Sequence, residues 1–294
     1  MRRITALVLA CLLAMSLSGC KKVDAEPVPQ APSSAAPEDV ETPAEGFVTL
    51  TGDALEEKSL ASVSLPAIVT EGRVPEGTYD LPTEVSTVEE WVIQGGIALL
   101  RELRSEEAAF YIVEGKESSL ALIRWGEFLA EFDFLCEDQP DMWLDDLDGD
   151  GEEELALRCH AGHGTGVSIE ELHILEKRDD GAFTAYTYPM DDLGVILDDC
   201  LQLAFLGERT YVSLGRELAE ITQNLEGTTP KYENNGLQLG HSICFYRTEM
   251  GFSCRQGIML EAEKLHYWYV GELYSEIYYR QDGTFLVDAL SVGP

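Results

Sequence analysis

A long series of short strand-like segments constrains the fold of this chain more than any other sequence feature. From residue 108 onward, segments rich in β-branched and aromatic residues alternate with Gly, Asp, Ser or Lys turns. No self-similarity at a fixed period accompanies them, so a complete propeller of several blades is not expected. The pattern predicts an antiparallel meander with strands within 108–114, 119–125, 127–136, 153–160, 166–177, 181–189, 201–214, 241–263, 266–283 and 284–292.

One helix is predicted before these strands, over residues 86–103. Thr87 and Glu90 have the spacing of a capping box, and apolar residues then recur at helical spacing. They fall on more than one side of the helix, which should therefore be covered on most faces. Gly95 and Gly96 weaken the helix locally. The fold class predicted from these patterns is α+β, β-dominated, with one N-terminal helix.

The first twenty residues have the features of an export signal. Arg2 and Arg3 precede an apolar run over residues 4–17, which is too short to span a bilayer comfortably. The run ends in Leu-Ser-Gly-Cys, which resembles the lipobox of bacterial lipoproteins. That resemblance implies a signal peptide at residues 1–19 and a lipid on Cys20, and the alternative is an ordinary secreted protein with an incidental cysteine.

A proline-rich stretch follows the lipobox. Residues 20–46 contain many Ala, Ser and Pro residues and no aromatic residue, so they cannot bury enough apolar surface to fold and should form an extended tether. Residues 47–294 are long enough for one β-rich extracytoplasmic domain. A C-terminal β subdomain from about residue 190 is a further possibility.

The charge of the chain limits its partners. The formal net charge is −34 at pH 7, which repels phosphate backbones and argues against nucleic-acid binding. It also argues against an electrostatic hold on anionic lipid, so attachment to the cell membrane must come from the lipid at Cys20.

A dense acidic stretch, DDLDGDGEEELAL at residues 145–157, has the regular spacing of a metal loop. Counted from Asp146, carboxylates occupy the odd positions and glycines occupy positions 4 and 6. Such carboxylates converge when the backbone curls tightly, and glycines permit the positive φ of the curl. Hard oxygen ligands in this number predict Ca²⁺, and the alternative is a solvated acidic turn.

The loop does not match an EF-hand, because the acid required at position 12 is replaced by Leu157. It resembles the shorter D-x-D-G-D-G-x-x-D calcium loop of FG-GAP or VCBS repeats, similar to the loops of integrin α-chains. That resemblance implies a hairpin between antiparallel strands and a ligand set in which Glu152 contributes its backbone carbonyl: Asp146, Asp148, Asp150, Glu152 and Glu154. Glu154 departs from the aspartate of the pattern.

A wider segment, residues 143–176, resembles one found in lipoproteins of Gram-positive bacteria. There an acidic loop and strand precede a G-x-G-T-G-V turn and an EELHILE strand. The likeness implies a shared fold and no particular activity.

The sequence CHAGHGTGV at residues 159–167 offers Cys159, His160 and His163 within five positions. Structural zinc needs four ligands, and no second Cys/His pair lies at a usual spacing. The simpler interpretation is a glycine-rich loop with exposed histidines. An alternative is that the loop lets a ligand approach its backbone closely, through Gly162, Gly164, Thr165 and Gly166.

The alternating aromatic residues of 266–279 are expected mainly to pack the sheet. Their alternative role is to stack on sugar rings or on a partner.

Five cysteines follow Cys20, and disulfides are permitted outside the cytoplasm. Cys244 and Cys254 flank a plausible hairpin and could form a bridge on facing strands. Cys136 and Cys159 bracket the acidic loop and could also pair. Alternatively, all the cysteines are small buried apolar residues.

No catalytic motif is found: a nucleophile elbow, an H-E-x-x-H helix, paired Ser/Lys motifs and a partnered cysteine are all missing. Acid pairs carry little information in a chain with 54 acidic residues. No catalytic residue is therefore assigned. The main hypothesis is a lipid-anchored binding or scaffold module with a structural calcium ion and a protein or glycan partner, and the alternative is an extracellular hydrolase acting on envelope glycans.

Overall fold

β-strands form most of the structure, which confirms the β-dominated α+β class. The computed structural model describes residues 62–103, 108–114, 119–134, 136–164, 167–197, 200–206, 209–222, 236–262 and 266–294. Within these ranges the helices are α1 (Val88–Gln94) and α2 (Met190–Leu197). The strands are β1 (Ser62–Pro66), β2 (Ile68–Glu71), β3 (Ile97–Leu103), β4 (Ala108–Glu114), β5 (Ser119–Trp125), β6 (Phe128–Phe132), β7 (Asp141–Asp145), β8 (Glu154–Gly164), β9 (Val167–Lys177), β10 (Phe183–Thr187), β11 (Leu201–Leu206), β12 (Arg209–Leu214), β13 (Glu217–Glu220), β14 (Leu237–Arg247), β15 (Phe252–Ala262), β16 (His266–Tyr279) and β17 (Thr284–Gly293).

The largest sheet in the described part of the chain has ten strands. Its main path is β1-β17-β16-β15-β14-β9-β10-β2, and β8 pairs with both β9 and β7. Strands β14 to β17 therefore complete the sheet to which β7 to β10 belong. The sheet crosses the boundary near residue 190 at which the sequence allowed a separate subdomain.

Most neighbouring strands are antiparallel, as the sequence predicts. The four-stranded sheet β3-β4-β5-β6 is a meander, and β11-β12-β13 form a third sheet. One pair of named strands departs from the antiparallel pattern, because β14 runs parallel to β9 where Ser242 lies opposite Ser168. A parallel pair needs a crossover connection, and here β10, α2 and the three-stranded sheet lie between the two strands along the chain.

The helix predicted over 86–103 is correct only in its first half. Thr87 and Glu90 form the expected capping box, but the helix ends at Gln94, and Ile97–Leu103 is strand β3. Gly95 and Gly96 have φ of 70° and 78°, a left-handed conformation that breaks the helix and that only glycine adopts without strain. The predicted burial is also wrong, because none of the residues of α1 is buried.

The second helix, α2, was not predicted. It follows Pro189, carries Asp191 and Asp192 in its first turn, and buries Leu193 and Leu197 one turn apart. These are ordinary signals of a helix start and of an apolar face. In the sequence they were obscured by the strand-like segments on either side.

Strand β8 lies between two clusters of buried side chains. Leu155 and Leu157 pack in the cluster that contains Phe110 of the four-stranded sheet. Ala156 points the other way, into the cluster that contains Phe245 of β14. Successive strand residues face opposite sides of a sheet, so the start of β8 is buried on both faces and provides a rigid base for the loop that precedes it.

The predicted Cys244–Cys254 bridge is not formed, and no disulfide joins any of the five cysteines in the described residues. Cys254 lies opposite Phe245, and Cys244 lies opposite Arg255. Residues directly opposite each other share a face of the sheet, so the two cysteines point to opposite faces. The alternative that all five are small buried apolar residues is correct for Cys159 and Cys254 alone, because Cys136, Cys200 and Cys244 are only partly buried. A hydrogen bond with Cys136, together with burial, raises the pKa of the Cys159 thiol.

Candidate functional site

The acidic loop, defined as residues 146–154, connects β7 to β8. Asp145 lies opposite Glu154 at the base of this connection, so the loop closes an antiparallel hairpin. Gly149 and Gly151 have φ of 78° and 95°. The hairpin position and the use of glycine for positive φ are both as the sequence predicts.

The carboxylates of the acidic loop are held by backbone N–H groups of the same loop. The Asp146 carboxylate accepts hydrogen bonds from the Gly149 and Gly151 amides at 2.8 and 3.1 Å. The Asp148 carboxylate accepts one from the Asp150 amide at 3.0 Å. These bonds curl the backbone around its acidic side chains and fix the orientation of the carboxylates.

Glu154 is the buried carboxylate of the site, with 3% of its surface exposed. Its Oε2 accepts a hydrogen bond from the Leu147 amide at 2.7 Å. Burial, reinforced by the charges of Asp148 and Asp150, raises the pKa of Glu154 to about 7 despite that hydrogen bond. Burial also raises the pKa of Asp148 above its ordinary value. The fold therefore concentrates negative charge where water solvates it poorly.

Three of the predicted ligands come together in space. Asp146, Asp148 and Glu154 each offer a carboxylate oxygen, and these oxygens lie within 4.8 Å of one another. This group can hold a metal ion. Asp150 is not part of the group, and its carboxylate accepts a hydrogen bond from the Glu152 amide at 2.7 Å. The assignments of Asp150 and of the Glu152 carbonyl stay predictions.

Leu157, at the twelfth position of the loop, is completely buried on β8. An EF-hand requires a bidentate carboxylate there. The structure thus agrees with the exclusion of that class of calcium loop.

The glycine-rich segment is mostly strand rather than loop. Gly162 and Gly164 lie in β8, while Thr165 and Gly166 lie outside the described residues. A Cβ placed on Gly162 meets no atom within 4 Å, so this stretch of backbone is open to an approaching molecule.

Gly164 borders a cleft of about 900 Å³, called here the tyrosine cleft. On β16, Tyr267 and Tyr269 line it with 48% and 38% of their surfaces exposed. Polar and small apolar groups complete its lining, which consists of Gly164, Val167, Ser168, Gln238, Leu239, Gly240, His241, Ser242, Met259, Tyr267 and Tyr269. The sequence suggested the aromatic strand and the glycine segment separately, and the fold places them side by side.

The aromatic residues of β16 do not all pack the sheet. Tyr279 is buried, whereas Tyr274 and the three consecutive residues Tyr267, Trp268 and Tyr269 are exposed. The prediction that these aromatic residues mainly pack the sheet is therefore correct for Tyr279 and wrong for the start of the strand and for Tyr274. A register shift between Ile258 and Met259 of β15 lies opposite this stretch.

Cys20 lies outside the described residues, and its lipidation stays a prediction. No helix in the described ranges has the length and apolar character needed to cross a bilayer. No family model, curated protein or solved structure matches this chain. The likeness of the acidic loop to FG-GAP or VCBS loops therefore rests on its motif alone.

Proposed function

We propose that this chain is a lipid-anchored binding module of the cell envelope, with a structural Ca²⁺ in the acidic loop. The lipobox at Cys20 and the tether at residues 20–46 support the anchor. The domain beyond the tether would be displayed outside the membrane, where calcium is available.

Calcium fits the acidic loop better than other cations do. The ligand group of Asp146, Asp148 and Glu154 supplies only oxygen atoms, which suits a hard cation rather than zinc or copper. Ca²⁺ takes six to eight oxygen ligands in variable geometry, so backbone carbonyls and water can complete its shell. Mg²⁺ demands a stricter octahedron and keeps more of its water.

The role of the ion would be to stabilise the hairpin between β7 and β8. Without a cation, the Glu154 carboxyl group is buried beside the charges of Asp148 and Asp150, and its pKa is raised to about 7. A divalent cation offsets this repulsion and lets all three groups ionise. Since β8 is anchored in two buried clusters, an ordered loop also fixes the end of a central strand.

The observation that carries the binding role is the tyrosine cleft. Tyr267 and Tyr269 present exposed aromatic surface beside the polar side chains of Gln238, His241 and Ser242. Aromatic rings that stack on apolar sugar faces, next to groups that hydrogen-bond hydroxyls, suit a carbohydrate. The net charge of −34 disfavours an anionic ligand. We therefore propose an uncharged glycan.

The lining also favours binding over hydrolysis. Glycosidases generally place two carboxylates on either side of the scissile bond, and the described residues that line the tyrosine cleft contain no carboxylate. The hydrolase is therefore the less favoured of the two candidate functions.

The calcium part is tested by thermal unfolding of the folded domain with and without Ca²⁺. Calcium should raise the Tm of the wild type, and Asp148→Ala with Asp150→Ala should remove the rise. Glu89→Ala with Glu249→Ala is the matched control, since it removes two exposed acids elsewhere. An equal calcium response in the loop variant and the wild type would exclude the acidic loop as the site.

The binding part is tested on a panel of neutral glycans. Tyr267→Ala and Tyr269→Ala should each weaken binding by about 5-fold or more, as expected for the loss of an aromatic contact that contributes about 1 kcal/mol. Trp268→Ala is the control, because Trp268 is 40% exposed but does not line the cleft. Release of reducing sugar by the wild type would instead support the hydrolase alternative.

A further inference from the structure

A second group of metal-ligating side chains lies outside the acidic loop. Glu137, His160 and His163, called here the histidine cluster, each offer a ligand atom, and these atoms lie within 4.8 Å of one another. His163 Nδ1 lies 2.8 Å from Glu137 Oε2. This group mixes nitrogen and oxygen donors, unlike the acidic loop.

A β-bulge in β8 brings the two histidines to the same face. Residues three apart on a regular strand point to opposite faces. Here His160 lies opposite Glu170 and His163 lies opposite Ser168, because Ala161 is an extra residue in β8. Glu170 and Ser168 are two apart on β9, so their histidine partners share a face. The imidazole rings stack with centroids 5.7 Å apart and an angle of 12° between their planes.

The backbone also holds Glu137 in place. Its amide donates a hydrogen bond to the carbonyl of His160 at 2.7 Å. The segment before β7 is thereby fixed beside β8, and the carboxylate is brought to the two imidazoles. The three side chains thus come from two chain segments that are joined by a backbone hydrogen bond, so their approach does not depend on side-chain flexibility alone.

The environment of the histidine cluster suits a transition metal. Ser168 Oγ lies 3.4 Å from His160 Nε2, close enough to orient the ring. His163 and Glu137 are 73% and 47% exposed at their side chains, so a cation can reach them from solvent. The net charge of −34 raises the local concentration of cations around the protein. A bulge that redirects a side chain is also common next to functional sites.

We propose that Glu137, His160 and His163 form an open binding site for Zn²⁺. Two imidazoles and one carboxylate are donors that zinc accepts in a tetrahedral shell, with water in the fourth position. Calcium, which prefers oxygen ligands, is disfavoured by the two nitrogens. Because Ser168 also lines the tyrosine cleft, the zinc site borders that cleft. The site is independent of the proposed function, since it needs neither the acidic loop nor the glycan.

The test uses the untagged protein and Zn²⁺ alone, titrated by calorimetry in a buffer that contains Ca²⁺. The wild type should bind one zinc ion. His160→Ala, His163→Ala and Glu137→Gln should each weaken binding by about 10-fold or more, since loss of a ligand should cost at least as much as loss of an outer-shell partner. Glu249→Gln is the control, because Glu249 is also exposed but lies outside both the cluster and the tyrosine cleft.

A spectroscopic measurement separates this site from adventitious zinc. Co²⁺ in the wild type should give the visible absorption of a tetrahedral nitrogen and oxygen site, and His160→Ala with His163→Ala should remove it. Thermal unfolding of the same samples establishes that the variants are folded. Equal zinc affinity in the wild type and the double variant, or a loss of binding in Glu249→Gln, overturns the proposal.

Discussion

The acidic loop and the histidine cluster are two groups of side chains with the geometry to hold a metal ion. They lie at opposite ends of the same strand, β8, and they are built in different ways. The acidic loop takes its ligands from consecutive turns of one short segment and ends on a buried carboxylate, Glu154. The histidine cluster takes its ligands from two segments and is exposed. A local motif and a tertiary arrangement thus both produce three converging ligand atoms. Only the acidic loop places a carboxylate in the interior of the protein, where a negative charge is unfavourable.

The largest expected difference between the two groups concerns the pH dependence of stability. The pKa of Glu154 is raised to about 7 from 4.5, so without calcium the folded protein retains a proton that the unfolded chain releases. Stability should therefore fall as the pH rises from about 4.5 to about 7, by about 3 kcal/mol. Chemical denaturation at a series of pH values in chelator measures this fall.

Glu154→Gln is the matched variant, since its amide oxygen can still accept the Leu147 hydrogen bond but carries no charge. The fall over this pH window should be much smaller in Glu154→Gln, and saturating Ca²⁺ should remove it from the wild type by keeping the carboxylate charged. The contrary outcome is that the unfolding free energies of the wild type and Glu154→Gln show the same dependence on pH in chelator. The buried charge would then not distinguish the acidic loop from the histidine cluster.

A second comparison uses one glycine beside each group. Gly151 has a φ of 95°, so Gly151→Ala should cost about 1–2 kcal/mol of unfolding free energy and weaken the calcium response. Gly162 lies between the two histidines and has no neighbour within 4 Å of an added Cβ. Gly162→Ala should change stability by less than about 0.5 kcal/mol. Urea denaturation measures the loss of unfolding free energy in both variants. Equal losses would contradict the proposed role of backbone conformation in the acidic loop.

The smallest effect is expected at the histidine cluster. His163 is 73% exposed, and its contact with Glu137 is a surface ion pair at most. His163→Ala should therefore change the unfolding free energy by less than about 0.5 kcal/mol in zinc-free buffer. Its Tm should rise with calcium as much as that of the wild type. A smaller calcium response in this variant would mean that the two groups are coupled through β8.

Much of the fold was predictable because its signals are local. Alternating β-type segments and glycine or aspartate turns identify most strands, and Thr87 and Glu90 identify the start of α1. The end of α1 was misjudged, because Ile97, Leu99 and Leu103 fit a helical period as well as a strand. Pairing with β4 decides that these residues form β3.

The candidate sites also differ in whether their signals are local in the sequence or depend on tertiary contacts. The sequence by itself determines the acidic loop, because its ligands and glycines are neighbours in the chain and their spacing requires a tight curl. Only the tertiary structure decides that Glu154 is buried, that Glu137 joins the two histidines, and that Tyr267 and Gly164 line one cleft. These contacts join residues far apart in sequence, and they depend on strand register, in which one extra residue such as Ala161 changes the face of every side chain that follows.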